Sequence, residues 1–188
     1  MIVTVCGTQC IGKSTFIKDF KDKYETFILP EIDYRKIIEK NNLKINRNGD
    51  LYSQSYLYNF VLNDLNKSYK DKQTNYILDR GILDALCYTY WHYIHNKDTD
   101  VTWDAIKELE ETTFKNINKY DEIFYIPLER CAEIPIVDDK FRDTDLLYRK
   151  QIDEIFKKYI LLFDLPICEI YGTPEERLNK AVKYLKGE

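Results

Sequence analysis

Nine residues near the N-terminus, Gly7 to Thr15 (GTQCIGKST), constrain this chain more than any other stretch. They satisfy G-x-x-x-x-G-K-[ST] without deviation at Gly7, Gly12, Lys13 and Ser14. A short β-branched run, Ile2 to Cys6, precedes them, and KSTFIKDFKDKY follows with Phe16, Ile17 and Phe20 on one helical face. Strand, glycine-bracketed loop and helix in that order make an anion site. Glycines permit positive φ and close backbone approach, so successive N–H groups can converge on a phosphate at the helix N-terminus. Lys13 is then expected to reach the β- and γ-phosphates of ATP and the Ser14 hydroxyl to ligate Mg²⁺, with Thr8 and Thr15 completing the nucleotide contacts. Cys10, inside the loop, reads as a passive small side chain.

The remainder alternates strands with helices. Phe27 to Leu29 reads as a second strand stopped by Pro30, and EIDYRKIIEK as a short helix. NNLKINRNGD is polar and turn-rich and is expected to be an exposed loop before the helical period of SQSYLYNFVLNDLNKSY. NYILDRG gives a third strand ending in charge, followed by the apolar helix ILDALCYTYWHYIH. TWDAIKELEETTFKNI is amphipathic with Thr102 as N-cap, and DEIFYIPL is a fourth strand closed by Pro127. After the irregular PIVDDKFRDTD come a helix, LLYRKQIDEIFKKYILLF, and a fifth strand, PICEIYG. A capping box, Thr173 to Glu176 with Pro174 at the first helical position, opens the last helix. This order implies an α/β fold: a mostly parallel five-stranded sheet covered by helices on both faces, with ligands at the carboxyl ends of its strands.

The 188 residues fit one domain, and 44% hydrophobic with 32% charged residues is a globular balance. Five cysteines without a C-x-x-C pair suggest reduced thiols and a cytoplasmic protein, in the host cytoplasm if the source is viral. The N-terminus has no signal-peptide character, and no stretch approaches a membrane span. A net charge of −4 argues against a broad nucleic-acid surface. The sixteen tyrosines read mainly as packing residues. His92 and His95 are placed on a helix surface, since no further ligands accompany them. A guanine-reading N/T-K-x-D element is expected to be missing, which sets GTPases aside and leaves mainly small phosphotransferases.

The residues that follow strengthen that direction. ILDRGILDALCY, with Asp79-Arg80 at a strand end, resembles the Asp-Arg pair of nucleoside and nucleotide kinases such as thymidylate kinase. IPIVDDKFRDTDLLYRKQIDEIFKKY is similar to the lid of the ribosylnicotinamide kinase domain and of the small AAA-type P-loop kinases grouped with it. PEIDYRKIIEK looks like the segment after that family's second strand, and YGTPEERL resembles the loop that cradles adenine in nucleotide kinases. The resemblance implies the P-loop NTPase fold over residues 1–188 with a helical lid at about 136–150. It also implies an ATP- and Mg²⁺-dependent kinase acting on a nucleoside or nucleotide. Asp79 would bind Mg²⁺ or accept the attacking hydroxyl's proton, although it could instead cap the next helix. Arg142 and Arg149 would close over the transferring phosphoryl group, sharing a face if both are helical; solvated salt bridges are the alternative. Glu31, Arg35 and Arg80 would bind the acceptor, although Glu31 and Arg35 could instead form an exposed i,i+4 helix pair and Arg80 could simply pair with an acid. Two other functions stay open: a kinase acting on DNA, with Lys44 and Arg47 of KINRNGD as contacts, and a nucleotide-binding switch with slow hydrolysis.

Overall fold

The computed structural model describes residues 1–30, 34–131 and 141–187. Its sheet is built from β1 (Ile2–Cys6), β2 (Phe27–Ile28), β3 (Asn75–Asp79), β4 (Glu122–Tyr125) and β5 (Ile167–Glu169). They lie in the order β2-β3-β1-β4-β5, with every pairing parallel. Seven helices occur among the described residues: α1 (Lys13–Lys23), α2 (Tyr34–Lys40), α3 (Leu51–Lys70), α4 (Ile82–His95), α5 (Trp103–Asn116), α6 (Leu146–Leu162) and α7 (Pro174–Lys186). The α/β architecture is the one expected, and the strands are all parallel.

A central parallel strand is buried on both faces, which explains why every residue of β1 is apolar or small and buried. The core divides accordingly. On one face Phe16, Ile17 and Phe20 of α1 pack with Val3, Val5, Phe124 and Ala181 of α7. On the other, Tyr58 and Leu65 of α3, Leu86 of α4 and Phe156 of α6 pack with Ile2, Leu78 and Tyr125. Neighbouring strands β1 and β3 thus send their following helices, α1 and α4, to opposite faces. That divergence opens a crevice at their carboxyl ends.

Several local expectations change. The second strand ends at Ile28, and the helix after it is described over Tyr34–Lys40. Residues 31–33 and 132–140 lie outside the described residues, so Glu31 and the first part of the expected lid, 136–140, receive no structural description. The rest of that lid is irregular from 141 to 145 and becomes helical at Leu146. The polar segment 41–50 is no free loop: Leu43 is buried, the Lys44 amide donates to Ser53 Oγ at 2.9 Å, and Asn46–Asn48 form a 3-10 turn. His92 is fully buried, because α4 packs against α3, α5 and α6 and has no free face there; His95 is exposed.

Helix ends follow their sequence signals. The Thr102 hydroxyl accepts from the Ala105 amide, and Thr173 and Glu176 form the reciprocal capping box of α7. Thr173→Ala should cost about 1 kcal/mol of stability by denaturant titration, while Thr173→Ser should cost much less.

Candidate active site

The loop between β1 and α1 is shaped by backbone angles that favour glycine. Gly7 has φ +135°, and a Cβ there would lie 2.6 Å from Ile11 Cδ1 and 2.8 Å from the Ile126 carbonyl oxygen. Gly12, the N-cap of α1, has φ +85°, and Cys10 between them is also left-handed at φ +58°. The loop's carbonyls are held by cations. Lys13 Nζ donates to Gly7 O at 2.6 Å and Thr8 O at 2.7 Å. Arg149 of α6 donates through Nε to Gln9 O at 3.1 Å and through Nη2 to Cys10 O at 3.2 Å. Arg177 of α7 donates through Nη1 to Ile11 O and through Nε to Gly172 O. Five successive carbonyls therefore point at cationic side chains. In a trans peptide the N–H of the next residue is antiparallel to the C=O, so the amides of residues 8–12 point away from those cations. Backbone amides oriented together in this way are the kind of donor an anion nest uses.

Sequence reasoning placed Arg149 in the lid, over the phosphoryl group. In the structure it is buried, 7% exposed, and its hydrogen bonds go to the loop's backbone. The solvated-salt-bridge alternative does not describe it. Arg142 precedes α6, so the two arginines do not share a helix face; Arg142 lines the cleft itself. Arg177 was missed altogether. It is 1% exposed, and the only sequence hint was its place one residue past the Glu of a capping box.

The cleft has a volume of about 880 Å³ and runs from the loop residues Gln9–Thr15 past Asp79 and Arg80 to Tyr34, Gln54, Tyr88 and Phe141. Ser14 and Thr15 open onto it from the first turn of α1. Asp79 ends β3 and stands in register with Val5, two residues before Gly7. Arg80 takes φ +77°, a strained value for a non-glycine residue, and its guanidinium carbon lies over the Tyr34 ring, 5.6 Å from the centroid. Arg35 of α2 lies over the Phe141 ring at 5.0 Å. Phe141 and Asp143 are tied down from both sides: Asn46 Nδ2 donates to Phe141 O at 3.3 Å, and Gln9 Nε2 donates to Asp143 O at 2.6 Å.

A second acid, Asp84, also escaped sequence reasoning. It is 2% exposed, lines the cleft, and accepts from the Gly81 amide through Oδ2 at 3.0 Å. Its Oδ1 is buried without a hydrogen-bond partner. Burial raises its pKa to about 6, against the pull of Lys13, the Gly81 amide and Arg80. Burial also lowers the pKa of Lys13, which Asp84 and then Asp79 counteract. The only clue in the sequence was an acid at the third helical position after Asp79-Arg80-Gly81, where it also reads as a helix cap.

Mg²⁺ prefers hard oxygen donors and usually keeps water and substrate phosphates as ligands. The Ser14 hydroxyl and the Asp79 and Asp84 carboxylates supply such oxygens around the loop, and the unpartnered Asp84 Oδ1 fits that need. Among the described residues there is no cluster of three or more His, Cys, Asp or Glu for a protein-only metal site.

One sequence expectation is corrected here. Asn118-Lys119-Tyr120-Asp121 does fit N-K-x-D. It lies at the amino end of β4, where Asp121 accepts from the Ile2 amide at 2.6 Å, at the far end of β1 from the phosphate loop, so it cannot read a base held there. Lys44 and Arg47 pair with carboxylates: Lys44 with Asp50 at 3.0 Å, and Arg47 with Asp143. No helix among the described residues is long and apolar enough to cross a membrane.

A family model of the AAA domain matches residues 2–177. The chain belongs to this AAA-domain family. Three solved structures extend the likeness. NadR protein in complex with NR is 17% identical with a TM-score of 0.67 over 100% of this chain and 50% of that one, so this AAA domain spans half the length of NadR. Deoxyadenosine kinase from M. mycoides, with products dCMP and a flexible dCDP bound, is 16% identical with a TM-score of 0.66 and full coverage of both chains. Thymidylate kinase from Candida albicans is 13% identical, TM-score 0.70, covering 99% and 91%. The AAA domain thus has the fold of P-loop nucleotide kinases. No curated protein matches it in sequence.

The Asp84 carboxyl gives a pH test. An unfolded Asp titrates near 4 and this one at about 6, so the native state holds the extra proton between those values. Ionising it costs stability that is absent below the lower value and complete above the upper one. Asp84→Asn cannot ionise, so its stability relative to wild type should improve by on the order of 2 kcal/mol between pH 4 and 7.5. Denaturant titrations at those pH values would show it; a pH-independent difference would contradict it.

Proposed function

We propose that this AAA domain is an ATP- and Mg²⁺-dependent phosphotransferase that moves the γ-phosphoryl group of ATP onto a nucleoside- or nucleotide-type acceptor. The observation that carries the reading is one continuous cleft with two chemistries: a phosphate cradle at Gln9–Thr15, and aromatic and amide side chains at Tyr34, Gln54, Tyr88 and Phe141. The cradle suits a triphosphate. The second lobe suits a planar base and its sugar. The names of its structural relatives, complexes with NR and with dCMP and dCDP among them, agree with an acceptor of that size.

In this mechanism the loop amides and Lys13 hold the β- and γ-phosphates, Lys13 exchanging its bonds to Gly7 O and Thr8 O for phosphate oxygens. Arg149 and Arg177 keep the loop in shape from behind and touch no reacting atom. Mg²⁺, held by Ser14 and Asp79 with Asp84 nearby, would neutralise charge on the β- and γ-phosphates. An acceptor hydroxyl would give its proton to Asp79 as its oxygen bonds to Pγ and the bond from Pγ to the bridging oxygen breaks, releasing ADP. Arg142 would meet the charge that spreads over the transferring group. Arg35, Arg80 and, from its place in the sequence, Glu31 would bind the acceptor.

ADP release from Mg·ATP, measured against nucleosides, nucleoside monophosphates and 5′-hydroxyl DNA, tests the reading. One small acceptor should raise turnover far above hydrolysis. Lys13→Ala should lower that turnover at least about 100-fold. Arg149→Ala should act mainly by weakening ATP binding, and Arg142→Ala mainly on kcat. DNA as the preferred acceptor would replace the small molecule, and slow hydrolysis that no acceptor accelerates would favour a nucleotide-binding switch.

A further inference from the structure

The wall of the acceptor lobe at 141–145 belongs to no helix or strand. Backbone of that kind has no ladder of its own, so its position depends on the side chains that take its polar groups. Three side chains from distant parts of the chain do so here. Gln9 of the phosphate loop, 8% exposed, donates through Nε2 to the Asp143 carbonyl at 2.6 Å. Asn46 donates through Nδ2 to the Phe141 carbonyl at 3.3 Å. Arg47 forks the Asp143 carboxylate, Nε to Oδ2 at 2.5 Å and Nη2 to Oδ1 at 3.3 Å. The same carboxylate accepts from the Asp145 amide at 3.0 Å, and Asp145 caps α6 by accepting from the Tyr148 amide at 2.7 Å.

Close packing does not fix this wall by itself. Ile45, Asn46 and Arg142 line the main cleft and also a second, polar cavity of about 680 Å³. With open space on two sides, the hydrogen bonds decide where the wall stands. Asn46 is held at φ +53°, in the left-handed region, and retained strain of this kind clusters at ligand clamps. Gln9 joins the two lobes of the cleft. Its carbonyl accepts from Arg149 on the loop side, and its side chain reaches Asp143 on the acceptor side. A phosphate drawn into the loop would fix the Gln9 backbone, and with it the point from which that side chain reaches across.

We propose that Gln9 and Arg47 are positioning residues that act through Asp143. They set the Phe141 wall against the phosphate loop, so that a nucleotide in the loop orders the acceptor lobe before the acceptor arrives. Neither side chain touches a reacting atom. Their role rests on the phosphotransferase reading, in that the cleft must hold a nucleotide in one lobe and an acceptor in the other. Linkage makes the effect mutual: an acceptor seated against Phe141 tightens nucleotide binding by the same factor.

The test is amide hydrogen exchange across the full chain with and without saturating Mg·AMP-PNP, with nucleotide binding followed separately by titration. In the wild type the nucleotide should slow exchange about fivefold or more at the Asp145 and Tyr148 amides, which donate to carboxylates of this relay. The Asn48 and Gly49 amides, in the turn that carries Arg47, should slow with them. Gln9→Met keeps the side chain's length and removes its donor. It should still bind Mg·AMP-PNP and slow exchange in the first turn of α1, yet lose most of the slowing at 145 and 148. Arg47→Gln, at a half-exposed position, should do the same, and Arg47→Lys should recover it only in part because an ammonium cannot fork a carboxylate. The double variant should lose little more than either single one, as residues in one chain of contacts do. Unchanged exchange in β1 and β3 shows that each variant is folded. Wild-type amides at 145 and 148 that ignore bound Mg·AMP-PNP, variants that respond as the wild type does, or losses that simply add would overturn the relay and leave the phosphotransferase standing. No nucleotide binding at all would remove both.

Discussion

The site depends on one arrangement: a loop whose carbonyls are held by buried or half-buried cations. Backbone in the left-handed region at Cys10 and Gly12 cannot satisfy itself as a helix or strand does. Lys13, Arg149 and Arg177 supply the missing partners, each from a different part of the chain. A buried guanidinium is costly unless its donors are used; here carbonyl oxygens accept from Nε and Nη2 of Arg149 and from Nε and Nη1 of Arg177, while Arg177 Nη2 is buried without a hydrogen-bond partner. The result is a local excess of positive charge around the loop, the chemistry that the proposed phosphate cradle needs.

The fold places that loop where two strands diverge. Because α1 and α4 leave β1 and β3 for opposite faces, the loop at Gly7–Gly12 and the turn at Asp79–Arg80 border one crevice. The same crossing brings Asp84, in the first turn of α4, close enough to influence Lys13. Further out, α6 and α7 pack on opposite faces of the sheet, yet each sends one arginine to the loop. Anything that loosens either helix from the sheet should therefore be felt in phosphate binding as well as in stability.

Much of this was legible in the sequence because it depends on local rules. The glycine pattern, the β-branched run before it and the apolar period after it are short-range signals, as are the caps at Thr102 and Thr173. What escaped depends on contacts between distant residues. Arg177 bonds a carbonyl 166 positions away, and Arg149 carbonyls about 140 positions away, so neither role leaves a trace in local pattern. His92 was placed at a surface because its neighbours supplied no ligand set, but burial is decided by the three helices around α4. Asn118–Asp121 shows the converse. A matching tetrad means nothing until the fold says which end of the strand it occupies.

The most direct measurement is a crystal structure with Mg·AMP-PNP bound. The β- and γ-phosphates should sit within hydrogen-bond distance of the loop amides, Lys13 Nζ should have moved from the Gly7 and Thr8 carbonyls onto phosphate oxygens, and Arg149 and Arg177 should still hold Gln9, Cys10 and Ile11 from behind. Phosphates lying elsewhere, or either arginine leaving the loop's carbonyls to grip the nucleotide, would contradict a loop preorganised by its own cations.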